Sequence, residues 1–238
     1  MINFLTAHWA NLIMANYEID PEILKPYLPA GTSLDYYHGK TFVSLVGFMF
    51  LRTKIFGIHI PGLGNFEEIN LRFYVIRKEN GVVKRGVVFI NETVPYKAVA
   101  WLANVLYKEH YSAIPTKHNW FINDTEKQID YHWRINNNWN FIKVNASSNH
   151  EPMQEDSIEE FIYQHYYGYT RVTAEKTEEY KIEHDRWMVN AVKSIEINCD
   201  FTAMYGKDFS HLAAQNPSSI MLAEGSNIAV KWKRVKVV

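Results

Sequence analysis

The chain has 238 residues, 47% of them hydrophobic and 15% aromatic, which is enough to bury the core of one domain spanning residues 1–238. Its formal net charge of -1 argues against a polyanionic partner, because nucleic-acid binders usually carry a strong basic excess. The nearest approach to a basic stripe comprises Lys231, Lys233, Arg234 and Lys236. Lysines that protect an edge strand from pairing explain that stripe more simply. We therefore expect no nucleic-acid partner.

Signals for secretion, membrane insertion and disulfide bonding are weak or missing in the sequence. Cys199 is the single cysteine, so no internal disulfide can form and a reducing compartment fits. The N-terminal segment, MINFLTAHWANLIMANY, has no basic region and polar residues interrupt its apolar ones, which predicts a strand and not a signal peptide. No apolar stretch is long enough to span a bilayer. We expect a soluble, cytoplasmic protein without a membrane partner, and a homo-oligomer is left open.

The elements predicted along the chain are mostly strands. Residues 9–17 form the first, and Asp20-Pro21 then supplies an N-cap and a first-turn proline for a short helix ending near Leu28. Residues 41–51 are almost continuously apolar, which indicates a strand covered on both faces. Asn-rich turns between strand-like runs predict two hairpins. The later predicted elements are strands 68–77 and 82–91 around Asn80-Gly81, strands 126–135 and 139–146 around 136–138, a helix from Ser157 to near Gly168, extended segments 177–198 and 228–237, and helical turns within 200–215.

The segment 94–111 is the single long stretch that predicts a helix without a polar face. Its apolar residues cover nearly the whole circumference, and the polar exceptions are Lys97, Asn104 and Lys108. A helix that is hydrophobic all round is typically buried, and Pro95 suits its first turn. We therefore predict a mainly antiparallel β protein of the α+β class, in which curved sheet packs around one long buried helix.

The strand 68–75, EINLRFYV, holds the most informative polar residues. Its alternation places four of them on one face, namely Glu68, Asn70, Arg72 and Tyr74. Neighbours on that face lie about 6.6–7 Å apart, within reach of one small ligand. The pattern alone favours a polar face in water. The position of the strand, just before the hairpin that leads into the helix, instead favours an interior face, where charges need partners.

Two histidines are candidates for the wall of the same cavity. His165 lies among aromatic residues in FIYQHYYGY, and His184 shares a strand face with Tyr180. A histidine in such surroundings is more often a hydrogen-bonded core residue than a catalyst. The sequence contains no motif for a metal site, an activated nucleophile or a phosphate-binding loop, so we predict no metal and no cofactor.

Several sequence blocks occur together, in order, over nearly the whole chain. They are Ile19-Asp20-Pro21 with Leu28-Pro29-Ala30-Gly31 and Leu34-Asp35; FEEINLRFYV at 66–75; His165-Tyr166-Tyr167-Gly168-Tyr169; Glu179-Tyr180 with Glu183-His184; and Ala223-Glu224-Gly225-Ser226. In this combination the chain resembles the uncharacterised YqjF-like family, domain of unknown function 2071. That family is similar to acetoacetate decarboxylase, which implies a curved, largely antiparallel β-barrel or cone with an interior pocket and a helix before the active lysine.

The chain departs from the decarboxylase pattern at the reactive lysine. After its helix the decarboxylase pattern is Gly-Phe-Pro-Lys-Lys-Leu-Ala, whose first lysine forms a Schiff base with the keto acid. The matching stretch here is 108–114, KEHYSAI, which places Tyr111 at the position of that lysine. A phenol cannot form an imine, and Lys97 or Lys108 can substitute only if the fold brings one inward. Glu68 corresponds to the decarboxylase's pocket glutamate by its position in a similar strand.

The sequence and the resemblance together predict a small-molecule pocket at the end of the helix. Glu68 and Tyr111 are the predicted acid–base pair on a carbonyl or carboxylate compound, in a lyase- or isomerase-like reaction without a Schiff base. The predicted ligand-binding residues are Asn70, Arg72, Tyr74, His165 and His184. Among these, Arg72 would orient a carboxylate or other oxyanion. The alternatives are a non-catalytic binding or sensing module with the same pocket, or a structural polar face in a protein that acts through another surface.

Overall fold

The computed structural model describes residues 2–232 and 235–237, so Lys233, Arg234 and the side chain of Lys236 from the basic stripe lie outside it. Within these residues fifteen strands belong to one sheet, which confirms the predicted mainly antiparallel β class. The first strands are β1 (Asn3–Ile19), β2 (Ser33–Leu34), β3 (Thr41–Ile55), β4 (Ile58–His59), β5 (Phe66–Glu79), β6 (Val82–Val94) and β7 (Tyr111–Ala113). The others are β8 (Thr116–Ile122), β9 (Glu126–Ile135), β10 (Asn138–Pro152), β11 (Tyr167–Arg171), β12 (Thr177–His184), β13 (Met188–Asn198), β14 (Ser219–Lys231) and β15 (Val235–Val237).

The helices of the described chain are short. They are α1 (Pro21–Leu24), α2 (Lys97–Tyr107), α3 (Ile158–Tyr163) and α4 (Phe201–Tyr205), with 3₁₀ segments at Lys25–Tyr27 and Lys207–Ala214. The N-cap predicted at Asp20 is confirmed, because Asp20 accepts a hydrogen bond from the backbone N–H of Glu22. Ser157, where the second helix is predicted to begin, caps α3 by accepting from the backbone N–H of Glu160. Helix α3 ends well before the predicted Gly168, since the chain there already runs as strand β11.

The sheet has the strand order β15-β12-β11-β6-β5-β3-β1-β14-β13-β10-β9-β8. Strand β12 also pairs with β14, which joins the two ends of the path from β12 through β11, β6, β5, β3 and β1 to β14. Most neighbours are antiparallel, and β6 runs parallel to both β7 and β11. This arrangement places the polar residues of β5 in the middle of a run of paired strands, and residues 66–75 of β5 are buried on both faces.

The two predicted hairpins are confirmed, and their turns explain their register. In the first, Asn80 and Gly81 both have positive φ, 50° and 80°, and Glu79 pairs with Val82. In the second, Asn136 and Asn137 have φ values of 48° and 65°. Two-residue turns with positive φ at both positions match the twist of the flanking strands, and Asn and Gly tolerate that conformation best.

The central strands separate two hydrophobic clusters. On one face of β5, Ile69, Leu71 and Phe73 pack in a cluster with residues of β9, β10 and α4. Residues on the other face of β3 and β5, including Phe48 and Phe66, belong to a second cluster. Both faces of 41–50 are buried, as predicted for the apolar run there. The second cluster surrounds the cavity described below.

The prediction of one long buried helix is wrong. Helix α2 is eleven residues long, and only Ala100 and Tyr107 among them are buried. Trp101 is 64% exposed and Val105 is 43% exposed. The strands fill the interior with their own side chains, so α2 lies at the surface with one apolar face over the cavity and another in solvent. An apolar pattern around the whole circumference therefore arises here without burial.

Two further features complete the path from α2 to β7. Lys108 ends the helix in the left-handed conformation, with φ of 57°. The side chain of Asn104 then donates to the carbonyl oxygen of Tyr111 at 2.9 Å and accepts from its backbone N–H at 2.7 Å. These contacts fix the backbone position of Tyr111 beside β6.

Among residues 2–232 and 235–237, no helix combines the length and the apolar character that crossing a bilayer requires.

Candidate functional site

A cavity of about 350 Å³ lies inside the second hydrophobic cluster, between the curved sheet and α2. Most of its wall is apolar and comes from β1, β3, β12 and α2. Its polar side chains are concentrated on β5, β6 and the segment that follows α2. The polar residues that line the cavity from these three segments are Glu68, Asn70, Arg72, Glu92, Glu109 and Tyr111. A mostly apolar cavity with a few convergent polar groups is typical of small-molecule sites.

Glu68 and Tyr111 are in direct contact. The Tyr111 hydroxyl donates to Glu68 Oε2 at 2.9 Å, and Asn70 Nδ2 donates to Glu68 Oε1 at 3.0 Å. Glu68 is only 2% exposed. Tyr111 reaches it because β7 pairs with β6 in the register that places Tyr111 opposite Glu92. The structure therefore brings together the two residues predicted as the acid–base pair.

Arg72 is buried on the same face of β5, two residues beyond Asn70. Its Nη2 contacts Met14 Sδ at 3.6 Å, and its Nε is buried without a hydrogen-bond partner. Asn70 Oδ1 is likewise buried and unpartnered. The interpretation of this face as solvated is thus wrong, because Glu68, Asn70 and Arg72 all line the interior. A buried guanidinium N–H without an acceptor is costly, and an oxyanion or carbonyl oxygen would satisfy it.

Two further buried carboxyls, which we did not predict, belong to the site. Glu109 Oε1 accepts hydrogen bonds from the Thr170 hydroxyl at 2.6 Å and the Tyr180 hydroxyl at 2.7 Å. Glu92 Oε2 is buried without a partner. The sequence offered a signal for Glu109, which lies in the stretch matched to the decarboxylase. Glu92 lies one residue beyond the predicted strand 82–91.

Burial sets the protonation of these carboxyls. Loss of water raises the pKa of Glu68 to about 7, against the lowering effect of the hydrogen bonds from Tyr111 and Asn70. Burial likewise raises the pKa of Glu109 to about 7, opposed by Thr170 and Tyr180. Burial, with repulsion from Glu109 and Glu68, raises the pKa of Glu92 well above its usual range. Near neutral pH, Glu92 therefore keeps its proton while Glu68 can both accept and release one.

The other predicted ligand-binding residues differ in their placement. His165 lines the cavity, but its Nε2 lies 3.1 Å from Asp35 Oδ2 and its side chain is fully buried, which suits a core role. His184 lines the cavity and stacks on Trp187, and burial lowers its pKa to about 4. Tyr74 does not line the cavity, because its hydroxyl is turned to Ser44 Oγ at 2.5 Å.

The two lysines considered as Schiff-base substitutes do not reach the cavity. Lys97 and Lys108 are exposed at the two ends of α2. Among the described residues that line the cavity there is no lysine. The described part of the chain also contains no group of three or more His, Cys, Asp or Glu side chains placed to hold a metal ion. The described lining supplies carboxyl, phenol, guanidinium, amide and imidazole groups.

Replacing Glu92 with Gln should stabilise the protein increasingly as pH rises. The folded state raises the pKa of Glu92, so folding favours the protonated carboxyl, and stability is lost as pH rises above the unfolded value of about 4.3. Gln has no proton to lose. Each pH unit in that range corresponds to about 1.4 kcal/mol, or about 3–5 °C in Tm. Thermal melts from about pH 5 to about pH 8 should show the difference between Glu92→Gln and wild type growing with pH.

The matched control for this experiment is Glu155→Gln, which changes an exposed carboxyl. Its difference from wild type should be small and should not depend on pH in the same range. Because each variant is compared with wild type at the same pH, the titration of the buried histidines cancels. A difference for Glu92→Gln that stays constant with pH would contradict the raised pKa of Glu92.

Comparison with known proteins places the chain in a family. Residues 6–227 match the model of DUF2071, an uncharacterized conserved protein family. The chain belongs to the DUF2071 family. It is 25% identical over 199 residues to the uncharacterized protein YqjF of Bacillus subtilis (strain 168), a match that covers 80% of this chain and 77% of YqjF. The predicted family is therefore confirmed.

Solved structures show that this DUF2071 protein has an acetoacetate decarboxylase-like fold. It matches the acetoacetate decarboxylase of Legionella pneumophila subsp. pneumophila str. Philadelphia 1 with a TM-score of 0.63 and 12% identity, over 98% of this chain and 87% of that one. It matches the enduracididine biosynthesis enzyme MppR, complexed with pyruvate, with a TM-score of 0.64 and 10% identity, over 99% of this chain and 91% of that one. At these identities the similarity establishes the fold alone.

Proposed function

We propose that this DUF2071 protein binds a small carbonyl or carboxylate compound inside its cone-like sheet and acts on it by acid–base chemistry. Glu68 and Tyr111 are the proposed catalytic residues, and Asn70 and Arg72 bind the ligand. The observation that supports this most directly is the 2.9 Å hydrogen bond between Tyr111 and Glu68 in a buried cavity, next to an unpartnered Arg72 Nε. The reaction class is that of a lyase or isomerase without a Schiff base.

The proposed step is proton abstraction beside a carbonyl group. The Glu68 carboxylate removes a proton from the adjacent carbon, and the electron pair of that C–H bond moves to the carbonyl oxygen. The Arg72 guanidinium and the Tyr111 phenol stabilise the resulting enolate oxygen. A carboxyl with a pKa near the working pH is suited to this role, because it is substantially ionised and still a useful base. The proton then returns from Glu68 to carbon or moves to another atom of the product.

The structural relatives support the ligand class. MppR was solved in complex with pyruvate, which carries both a ketone and a carboxylate. In the chain described here, the absence of a lysine among the described lining residues favours a mechanism that leaves the carbonyl group free of covalent attachment. Arg72 supplies the cationic group of the polar wall.

A non-catalytic binding or sensing module is the second candidate. The observation that favours it is the hydrogen bonding of the polar groups to one another, with Asn70 and Tyr111 both bound to Glu68. In that case the cavity still binds its ligand, but bound ligand undergoes no exchange of the protons beside its carbonyl group. Ligand binding therefore tests the cavity, and proton exchange separates the enzyme from the binding module.

Replacing Arg72 with Ala should abolish ligand-induced thermal stabilisation. We expect wild type to be stabilised by some members of a panel of keto acids, hydroxy acids, aldehydes and ketones. A ligand at about a hundred times its Kd stabilises by about 2.7 kcal/mol, a shift of about 5–10 °C for a chain of this size. Arg72→Ala should lose most of this shift because the ligand loses its charged partner.

The control is Arg134→Ala, which removes an exposed arginine that does not line the cavity. This variant should respond to ligands as wild type does. Equal shifts in wild type and Arg72→Ala would remove Arg72 from the ligand site. If no compound of the panel shifts wild type, the small-molecule proposal fails.

A further inference from the structure

We infer that the ligand of this cavity is an amphiphile, with a neutral carbonyl head group at the Glu68 end and an uncharged apolar body that extends toward the open end between α2 and the β3–β4 hairpin. The head-group assignment rests on the proposed function. The apolar body rests on the strand register and the composition of the wall, and the two parts can be tested apart.

The strand register gives the cavity a polar end and an apolar end. Directly paired residues of antiparallel strands project on the same face of a sheet. The register pairs Val46 with Asn70, and Phe48 with Glu68, at the polar end. One pleat further, about 6.6–7 Å along the strand, Phe50 pairs with both Phe66 and Trp9. Beyond these, Leu5 pairs with Ile55. The wall thus changes from ionisable to aromatic and then aliphatic in one direction.

The aromatic section of the wall is tightly packed. The rings of Phe50 and Phe66 stack with centroids 4.9 Å apart, and the Trp9 ring lies 6.0 Å from Phe50. Rings in mutual contact form a smooth apolar surface with little freedom to rotate. Such a surface suits an alkyl or aryl chain, and among these three rings the single hydrogen-bonding group is the indole N–H of Trp9, which is buried without a partner.

The open end of the cavity is apolar as well. Trp101 and Ile60 both line the cavity, and they are 64% and 39% exposed. Since lining residues that are exposed mark where a cavity meets solvent, the opening lies between α2 and the segment after β4. Leu63 and Leu102 lie beside them in the lining. A ligand that enters here passes apolar side chains before it reaches Glu68.

The charges at the polar end favour a neutral head group. The ionisable acids and bases of the described lining, apart from histidine and tyrosine, are three carboxyls and one guanidinium: Glu68, Glu92, Glu109 and Arg72. When Glu68 is ionised, its carboxylate already balances the charge of Arg72, so an anionic head would bring a second negative charge and repulsion from Glu68 in a region of low dielectric. A ketone or aldehyde oxygen can accept a hydrogen bond from Arg72 without that repulsion.

The volume of the cavity sets the length of the ligand. The volume of about 350 Å³ equals about a dozen water volumes of ~30 Å³ each. An eight- or nine-carbon ketone therefore fits, and a three-carbon acid leaves most of the cavity empty.

The test is calorimetric titration of the full chain with three homologous series, the ketones 2-butanone to 2-decanone, the carboxylates butanoate to decanoate, and the alcohols 1-butanol to 1-decanol. Ketone affinity should rise about fourfold for each added CH₂, which corresponds to about 0.8 kcal/mol, until the cavity is full. At equal length, ketones should bind at least about tenfold more tightly than carboxylates. Ketones should also bind more tightly than alcohols.

A cavity-filling variant locates the apolar body. Leu5→Trp adds volume in the Leu5–Ile55 pair near the open end and should stop the gain in affinity at a shorter chain, while 2-butanone binds as it does to wild type. Val105→Trp is the control, because Val105 lies on the exposed face of α2 and does not line the cavity. The control should leave the whole ketone series unchanged. Unfolding curves of both variants check that they fold.

The outcomes separate this inference from the proposed function. Equal affinity along the ketone series would overturn the inference of an amphiphilic ligand and leave the proposed function standing. Binding of short keto acids, without a gain in affinity for longer ketones, would have the same consequence. Alcohols that bind as tightly as ketones of equal length would overturn the carbonyl head group. If, in addition, Arg72→Ala binds ketones and carboxylates as tightly as wild type does, the proposed function fails as well. Ketone affinity that rises with chain length, exceeds the affinity for alcohols and carboxylates, and stops rising earlier in Leu5→Trp would support both the apolar body and the carbonyl head group.

Discussion

Glu68→Gln should lower the rate of proton exchange beside a bound carbonyl group by about 10²–10⁴-fold, the usual contribution of a general base. The measurement is proton NMR of 2-octanone in D₂O with wild type or variant, following loss of the protons next to its carbonyl. Gln keeps the size of Glu68 and can still pair with Asn70 and Tyr111, so the fold should be retained. It cannot take up a proton at neutral pH, which is why the rate should fall while binding persists.

The control is the neighbouring residue on the other face of β5. Glu67 is also a shielded carboxyl, but it accepts from Thr116 Oγ1 at 2.6 Å and contacts the His118 ring, away from the cavity. Glu67→Gln should therefore leave exchange per folded molecule unchanged. Exchange at the wild-type rate in Glu68→Gln would refute the role of Glu68 as base. If wild type binds 2-octanone but exchanges none of its protons, the binding module is the correct function.

Gly225→Ala should destabilise the protein by about 3–5 kcal/mol, which would lower Tm by about 6–20 °C. Gly225 has φ of 89°, a conformation that L side chains rarely adopt, and its strand position places it opposite Ala10. A Cβ at this position would lie 1.9 Å from the carbonyl oxygen of Trp9. Backbone cannot move aside as a side chain can. Strain from φ costs about 1–3 kcal/mol and overpacking about as much again.

Gly62→Ala separates the two contributions. Gly62 also has positive φ, 78°, but a Cβ there would meet nothing within 4 Å. Its loss of stability, measured by chemical denaturation beside Gly225→Ala, should be only about 1 kcal/mol. Similar losses in the two variants would show that φ alone, and not the approach of β1 to β14, sets the requirement for glycine at 225.

Local sequence chemistry was sufficient to predict the hairpins and the helix caps. Asn80-Gly81, Asp20 and Ser157 act on backbone groups within a few residues of themselves, so no tertiary information is needed. The burial of α2 depended on distant strands and was predicted wrongly. An apolar circumference does not distinguish a helix in a core from a helix with one face over a cavity and Trp101 in solvent. The single domain over 1–238 and the homo-oligomer stay predictions.

The candidate site was predictable in part. Alternation along β5 and the family resemblance were enough to select Glu68, Arg72 and Tyr111, which the structure places around one cavity. Glu92 was missed for a geometric reason. In a regular hairpin around the Asn80-Gly81 turn, Asn70 would pair with residue 91. A bulge between Leu71 and Arg72 shifts the register by one residue, so Asn70 lies opposite Glu92. A bulge of this kind leaves no mark in the sequence pattern.

The alternation of β5 has a consequence for how this protein can change over evolutionary time. Even-numbered residues from 68 to 72 line the cavity, and odd-numbered residues from 69 to 73 hold the first hydrophobic cluster together. Substitutions on the even positions can retune ligand choice with little cost to folding. An insertion or deletion of one residue in β5 would exchange the two sets and destroy both at once. Divergence within the family should therefore proceed through substitutions in this strand, with changes of length confined to its ends.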